Sequence, residues 1–236
     1  MEKITAKKFW KKMSNGLDKI MMIFLLLGFF LSSYSVIDLW NIYDSTNNRN
    51  LLKYKPSEEN KQSLEDLKGA VAWLTIDDTN IDYPIMQGSD NTTYLNKDPE
   101  GNFNLSGSLF LDYRNKPDFS DEYNLIYGHH MEHNAMFGAL DKFEDYSYLL
   151  KHESGTLYVG SEKYNIKVFA CMTGNASDSL LFNPSSSTNS KDVLSRIQNA
   201  VVNKKVKTSG KKILALSTCK EDTSDNRTMV FCILEE

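Results

Sequence analysis

Between Ile20 and Ile37 the chain runs for eighteen residues without a charge, opening as Ile20-Met21-Met22-Ile23-Phe24-Leu25-Leu26-Leu27-Gly28-Phe29-Phe30-Leu31. A helix needs about 20 apolar residues to cross a bilayer, so this run sits at the lower limit for a spanning segment. Six lysines (Lys3, Lys7, Lys8, Lys11, Lys12, Lys19) precede it against only Glu2 and Asp18, and Trp40 and Tyr43 follow it where interfacial aromatics belong. By the positive-inside rule the N-terminus lies in the cytoplasm and everything after Trp40 outside. A cleaved signal peptide is the competing reading, but Ser33-Tyr34-Ser35 is the best small-x-small pattern on offer and a poor one. The expectation is a cytoplasmic basic tail over 1–19 and an uncleaved transmembrane signal-anchor over 20–40. The globular fold must then come from the rest of the chain, which is long enough for one domain with a core.

Charge divides the same way. The net charge is −4, yet the first nineteen residues carry +4, leaving −8 on the remainder. An acidic body gives no electrostatic footprint for nucleic acid. The three cysteines (Cys171, Cys219, Cys232) are too few for a disulfide scaffold, and an odd number leaves at least one thiol. Cys171 and Cys232 lie in apolar runs and read as buried, inert thiols. A Cys171–Cys232 disulfide stays open.

Residues 41–56 read as a polar, Asn-rich juxtamembrane spacer ending at Pro56, and a short helix from Ser57 to Leu67 follows with Ser57 as its cap, so 41–63 holds the linker and the start of that helix. From Gly69 the pattern becomes one of short apolar runs broken by turn residues. Strands are expected over Ala70–Ile76, Ile81–Met86, Ser108–Leu111, Asn124–Tyr127, Thr156–Val159, Tyr164–Met172, Lys212–Ser217 and Thr228–Leu234. Two helices interrupt them. One is expected over Asn134–Phe143, where Met136, Phe137, Leu140 and Phe143 share a face. The other covers Ser190–Val202, with Val193, Leu194, Ile197, Ala200 and Val201 on one face. Many short strands with a few inserted helices predict a mostly β domain, a closed or nearly closed barrel of about eight strands, and not a βαβ sheet.

Chemistry concentrates at strand ends. Cys219 ends the run Lys212-Ile213-Leu214-Ala215-Leu216-Ser217-Thr218, so a strand can hold it rigidly. Its reactive form is the thiolate, which requires electropositive company. Arg227, eight residues on, is permanently charged, and the polar stretch Lys220–Asn226 can turn the chain back to bring it beside the cysteine. A surface ion pair of Arg227 with Asp222 or Asp225 is the plainer account of that arginine. A base is also needed, and His129 follows Gly128 at the end of Asn124-Leu125-Ile126-Tyr127, where glycine lets the backbone bend. His129, His130 and His133 together raise metal binding, but the HExxH spacing is missing, so no metal or other cofactor is expected. Sulfur, imidazole and guanidinium together point to a cysteine nucleophile acting on an acyl group.

These residues resemble those of a sortase, specifically of class B. The resemblance rests on Leu216-Ser217-Thr218-Cys219 with Arg227, on Tyr127-Gly128-His129-His130-Met131, on Met136-Phe137-Gly138, and on Trp73-Leu74-Thr75-Ile76 through Ile81-Asp82-Tyr83-Pro84-Ile85. It covers roughly Leu64 to Leu234, within a catalytic domain expected over 64–236. The stretch between Cys171 and Lys211 resembles the helix-bearing insertion of class B. Ala215 stands where sortases often carry threonine, and Lys220 where some class B members carry an acidic residue.

The resemblance implies a membrane-anchored cysteine transpeptidase on the outer face of a Gram-positive cell. It would cut a C-terminal sorting signal of a secreted protein after threonine and pass the acyl group to an amine of the peptidoglycan precursor or cross-bridge. Cys219 matches the nucleophile, His129 the general acid–base and Arg227 the oxyanion or substrate-orienting group. Asn91, Tyr127 and Ser217 resemble positions lining the substrate groove. Two other readings stay open: a membrane-tethered cysteine protease with water as acceptor, and a non-enzymatic wall-binding module in which Cys219 is only packed.

Overall fold

Helix α1, Glu2–Ser45, makes up the first of two units in this computed structural model, Met1–Asp44 and Ser45–Glu236. Residues 2–45, 48–57, 63–184, 188–198, 200–219 and 225–235 are described. Within α1 the segment Gly16–Ile37, 22 residues of mean hydropathy 2.3, is long and apolar enough to cross a membrane. At 1.5 Å per residue it reaches about 33 Å, the thickness of a hydrocarbon core. Its leucines, isoleucines, methionines and phenylalanines are exposed along that length, a surface suited to lipid and not to water.

Among the described residues the second unit has nine strands: β1 Ala70–Ile76, β2 Asp82–Met86, β3 Leu109–Leu111, β4 Tyr123–Gly128, β5 Ser154–Val159, β6 Glu162–Asn175, β7 Val202–Asn203, β8 Lys212–Cys219 and β9 Asn226–Glu235. Their order is β5-β1-β2-β3-β4-β8-β9-β6-β7, and β5 also pairs with β6. That last pairing closes eight strands into a barrel and leaves β7 as a short addition on β6. The first half of β6 pairs with β5; β7 joins at Ala170 and Cys171, beyond the end of that pairing. β2–β3 and β4–β8 are parallel, and the other neighbours antiparallel.

Strand alternation sorts side chains between two cores. Leu214 and Leu216 of β8, Val230, Cys232 and Leu234 of β9, and Ile126 of β4 fill the barrel interior. The intervening Ile213, Ala215, Met229, Phe231, Ile233, Tyr123 and Leu125 form an outer cluster under Leu181, Val193 and Ile197. These last three come from helices α3, Ser179–Phe182, and α4, Ser190–Ile197. Burial on both faces explains why β8 and β9 read as nearly continuous apolar runs.

All eight expected strands are present, most of them longer than expected. The helices differ more. Over 134–143 there is no α-helix but two 3₁₀ segments, Glu132–Asn134 and Gly138–Glu144. Left-handed backbone at His133, Asn134 and Met136 (φ 56°, 61° and 50°) breaks the helical pattern, while Phe137, Leu140 and Phe143 still enter the interior core. α4 ends at Ile197, and Val202 pairs with Cys171 in β7 instead of continuing the helix; residue 199 lies outside the described set. In the expected 57–67 helix, residues 58–62 also lie outside it, and Leu64–Asp66 is a single 3₁₀ turn. Helix α2, Tyr146–Lys151, was not expected; Asp145 caps it by accepting from the Ser147 and Tyr148 N–H groups. Cys171 and Cys232 are buried thiols without a disulfide. They face Val230 and Val168 across the β6–β9 pair, and burial pushes the Cys232 thiol far up.

Candidate active site

Three strand ends meet at one side of the barrel. β8 ends at Cys219, which stands opposite Arg227 at the start of β9. On the other flank β4 runs parallel to β8 with Gly128 beside Thr218, so His129 is one step beyond, level with Cys219. Neighbouring strands lie about 5 Å apart, so the Arg227 backbone flanks that of Cys219 at roughly this spacing, while His129 follows one residue beyond the last β4–β8 pair. The Cys219 side chain and the 220–224 connection lie outside the described part of the structure. β9 nonetheless returns antiparallel beside β8, as the polar stretch after the cysteine predicted.

A cleft of about 320 Å³ opens here. Tyr127, His129, Ser217, Thr218 and Arg227 line it from the strand ends, together with Asn91, Leu95, Phe110, Arg114, Ala176 and Phe182. All five sequence-predicted residues whose side chains are described, Asn91, Tyr127, His129, Ser217 and Arg227, thus share one cavity. Among the described residues the buried hydroxyls of Ser217 and Thr218 have no hydrogen-bond partner, an arrangement expensive to keep unless something else supplies one. Arg227 donates from Nη1 to the carbonyl of Asn226 at 3.2 Å and is partly exposed.

One wall is built around a charge the sequence reading missed. Asp112, immediately after β3, is fully buried and ion-paired with Arg114. Arg114 donates to Asp112 through Nε (2.8 Å) and Nη2 (2.7 Å), a two-point contact, and through its backbone N–H (3.0 Å). Asn91 Nδ2 and the Tyr127 hydroxyl donate to Asp112 Oδ2 at 2.8 and 3.2 Å. Burial works against the Asp112 charge, but the Arg114 and Asn91 donors outweigh it and hold the carboxyl below its ordinary range. Burial first, and then the Asp112 charge, push Tyr127 far up, so it stays a neutral donor. Arg114 Nη2 also donates to the Phe182 carbonyl at 2.8 Å, fastening the insertion to the barrel wall. The only sequence signal was an acid and an arginine two residues apart beside a strand end.

His129 is set by close packing. A Cβ at Gly128 would lie 2.3 Å from Leu109 Cδ2 and 2.7 Å from Phe137 Cδ2, so only glycine fits before it. The His129 carbonyl accepts from Phe137 N–H at 3.1 Å, and its Nε2 lies 2.9 Å from the Leu95 carbonyl at the cleft wall. The histidines diverge: His130 Nε2 meets Asp141 at 2.9 Å, and His133, well exposed, sits 4.0 Å from Glu132.

Comparison with known proteins agrees with this architecture. The sortase domain model matches residues 74–235. Sortase B of Listeria monocytogenes is 37% identical over 169 residues, covering 68% of this chain and 68% of that protein. Among solved structures, a Streptococcus pyogenes class B sortase involved in pilus biogenesis is 44% identical with a TM-score of 0.67, over 72% of this chain and 97% of that one. Staphylococcus aureus sortase B is 29% identical with a TM-score of 0.66, over 73% of this chain and 85% of that one. The chain belongs to the sortase family of cysteine transpeptidases, and within it to class B.

Proposed function

We propose that this enzyme is anchored by α1 with its N-terminus in the cytoplasm and its barrel outside. There it cleaves a C-terminal sorting signal of secreted proteins after threonine and transfers the acyl group to an amine of the cell wall or its precursor. In this reading the Cys219 thiolate attacks the threonine carbonyl. The amide C–N bond breaks as the imidazolium of His129 gives the leaving amine a proton, and a thioester forms on Cys219. An incoming amine then attacks the thioester, its proton passes to His129, and the thiolate leaves. Arg227 stabilises the oxygen that becomes negative in both steps. A thioester suits this job because amines attack it readily compared with an oxygen ester.

The observation that carries the reading is the β4–β8–β9 register, which sets the Cys219 backbone between the strand ends that carry His129 and Arg227, two residues that line one cleft. Tyr127, Ser217 and Asn91 serve as groove contacts: Ser217 brings a hydroxyl without a partner among the described residues, and Asn91 keeps a second amide hydrogen beyond the one given to Asp112. Tethering raises the effective concentration of membrane-retained substrates. The pilus role of the S. pyogenes relative favours a second acceptor class, an amine on another secreted subunit.

A peptide-library cleavage screen read by mass spectrometry, with and without added amines, tests this. Amine adducts ending in threonine are expected, whereas pure hydrolysis at saturating amine would indicate a protease. His129→Ala and Arg227→Ala should each lower turnover at least about tenfold, and activity within about twofold of the parent removes that residue from the mechanism. Arg227→Lys should also be costly, because an ammonium cannot reproduce the planar fork.

A further inference from the structure

Asp141 lies outside the cleft, yet it contacts the chain neighbour of each basic group in the mechanism. His130 Nε2 is 2.9 Å from Asp141 Oδ2, and the fully buried Thr228 donates its hydroxyl to Asp141 Oδ1 at 2.7 Å. His130 follows His129, and Thr228 follows Arg227. Thr228 also faces Thr218, the residue before Cys219. One carboxylate therefore ties the chain just beyond β4 to the start of β9, with the end of β8 between them.

The strand ladder does not make this connection. β4 and β9 each pair with β8, and the β4–β8 ladder ends at Gly128, one residue short of His129. The chain after His129 is conformationally costly, with left-handed backbone at His133, Asn134 and Met136, and such residues persist only where surrounding contacts over-determine them. Asp141 itself has a firm base: it belongs to the 3₁₀ segment Gly138–Glu144, whose Leu140 and Phe143 are fully buried in the barrel interior.

We propose that Asp141 is a positioning residue for acyl transfer, holding His129 and Arg227 at a fixed separation across Cys219 through His130 and Thr228, without touching substrate. This rests on the catalytic reading above. A carboxylate can accept from the Thr228 hydroxyl on Oδ1 and from a His130 Nε2–H on Oδ2 at once, whereas an amide offers only one acceptor oxygen.

The test uses the full chain in detergent micelles, with Asp141→Asn, Thr228→Val, Thr228→Ser and the Asp141→Asn/Thr228→Val pair. A displacement of about 1 Å at reacting groups can cost a hundredfold. Asp141→Asn is accordingly expected to lower kcat about tenfold or more with KM within about twofold. Thr228→Val should fall in the same direction and Thr228→Ser should retain activity. The pair should be less severe than the product of the single effects, because both remove one shared contact. Hydrogen exchange, which needs no turnover, should speed up together at amides 129–137 and 226–229 in Asp141→Asn and leave β1 and β5 unchanged. An inactive parent would contradict the catalytic reading, while joint loss of protection would still support the tie. Unchanged exchange at either segment, or kcat within about twofold of an active parent, overturns the role of Asp141.

Discussion

The outer surface of β4, β8 and β9 has two ends that differ sharply. At one end Tyr123, Leu125, Ile213, Ala215, Phe231 and Ile233 are buried with Leu181 of α3 and Val193 and Ile197 of α4. At the other, Tyr127, His129, Ser217 and Arg227 line an open cleft. The change takes two residues along β4 and β8, from Leu125 to Tyr127 and from Ala215 to Ser217. Apolar burial at the covered end keeps the three strands in register, so the polar end can hold its groups without packing against one another. The open end has its own support, since the Asp112–Arg114 pair holds one wall of the cleft through contacts to Asn91, Tyr127 and Phe182.

If the ends divide labour this way, substitutions should separate stability from turnover. The largest stability effect belongs to Asp112→Ala, which leaves Arg114 without its buried partner and should cost about 3–5 kcal/mol in a denaturant titration, with loss of turnover as the wall loosens. Because the folded state lowers the Asp112 pKa, its ionised form favours folding above the unfolded value of about 3.9, and that contribution is lost as pH falls through the folded value. Asp112→Asn should therefore be less stable than the parent at pH 7 and show a shallower loss of stability below about pH 4.

At the covered end, Ile197→Ala should cost about 3 kcal/mol by the same titration, while turnover measured well below its melting temperature stays within about twofold of the parent. Equal losses of turnover in the Asp112 and Ile197 variants would erase the distinction between the ends. The smallest effect is expected from Tyr127→Phe, which removes one hydrogen bond to Asp112 and should cost about 1 kcal/mol, the ring remaining packed on Phe110 at 5.4 Å.

The strands were legible because β-branched and aromatic runs punctuated by Gly, Asn and Asp have few other uses, and the strand-end placement of Cys219, His129 and Arg227 was legible because each directly follows or ends an apolar run or opens one. Asp112 and Asp141 were not. Their significance comes from partners as distant as Tyr127 and Thr228, and an isolated acid in a turn looks the same whether it meets solvent or a buried donor. The 134–143 stretch misled for a different reason. Its apolar spacing fits a helix, but its backbone is bent by left-handed residues and held from outside, with Met136 N–H donating to the Tyr83 hydroxyl at 3.2 Å.

The most direct measurement is intact-protein mass spectrometry of the enzyme mixed with a cleavable peptide from the library screen and quenched in acid. A covalent adduct of the N-terminal cleavage fragment should map to Cys219, disappear on adding an amine as the amide product forms, and be absent from Cys219→Ala. Peptide cleavage that persists in Cys219→Ala, or an adduct on any other residue, would contradict the account.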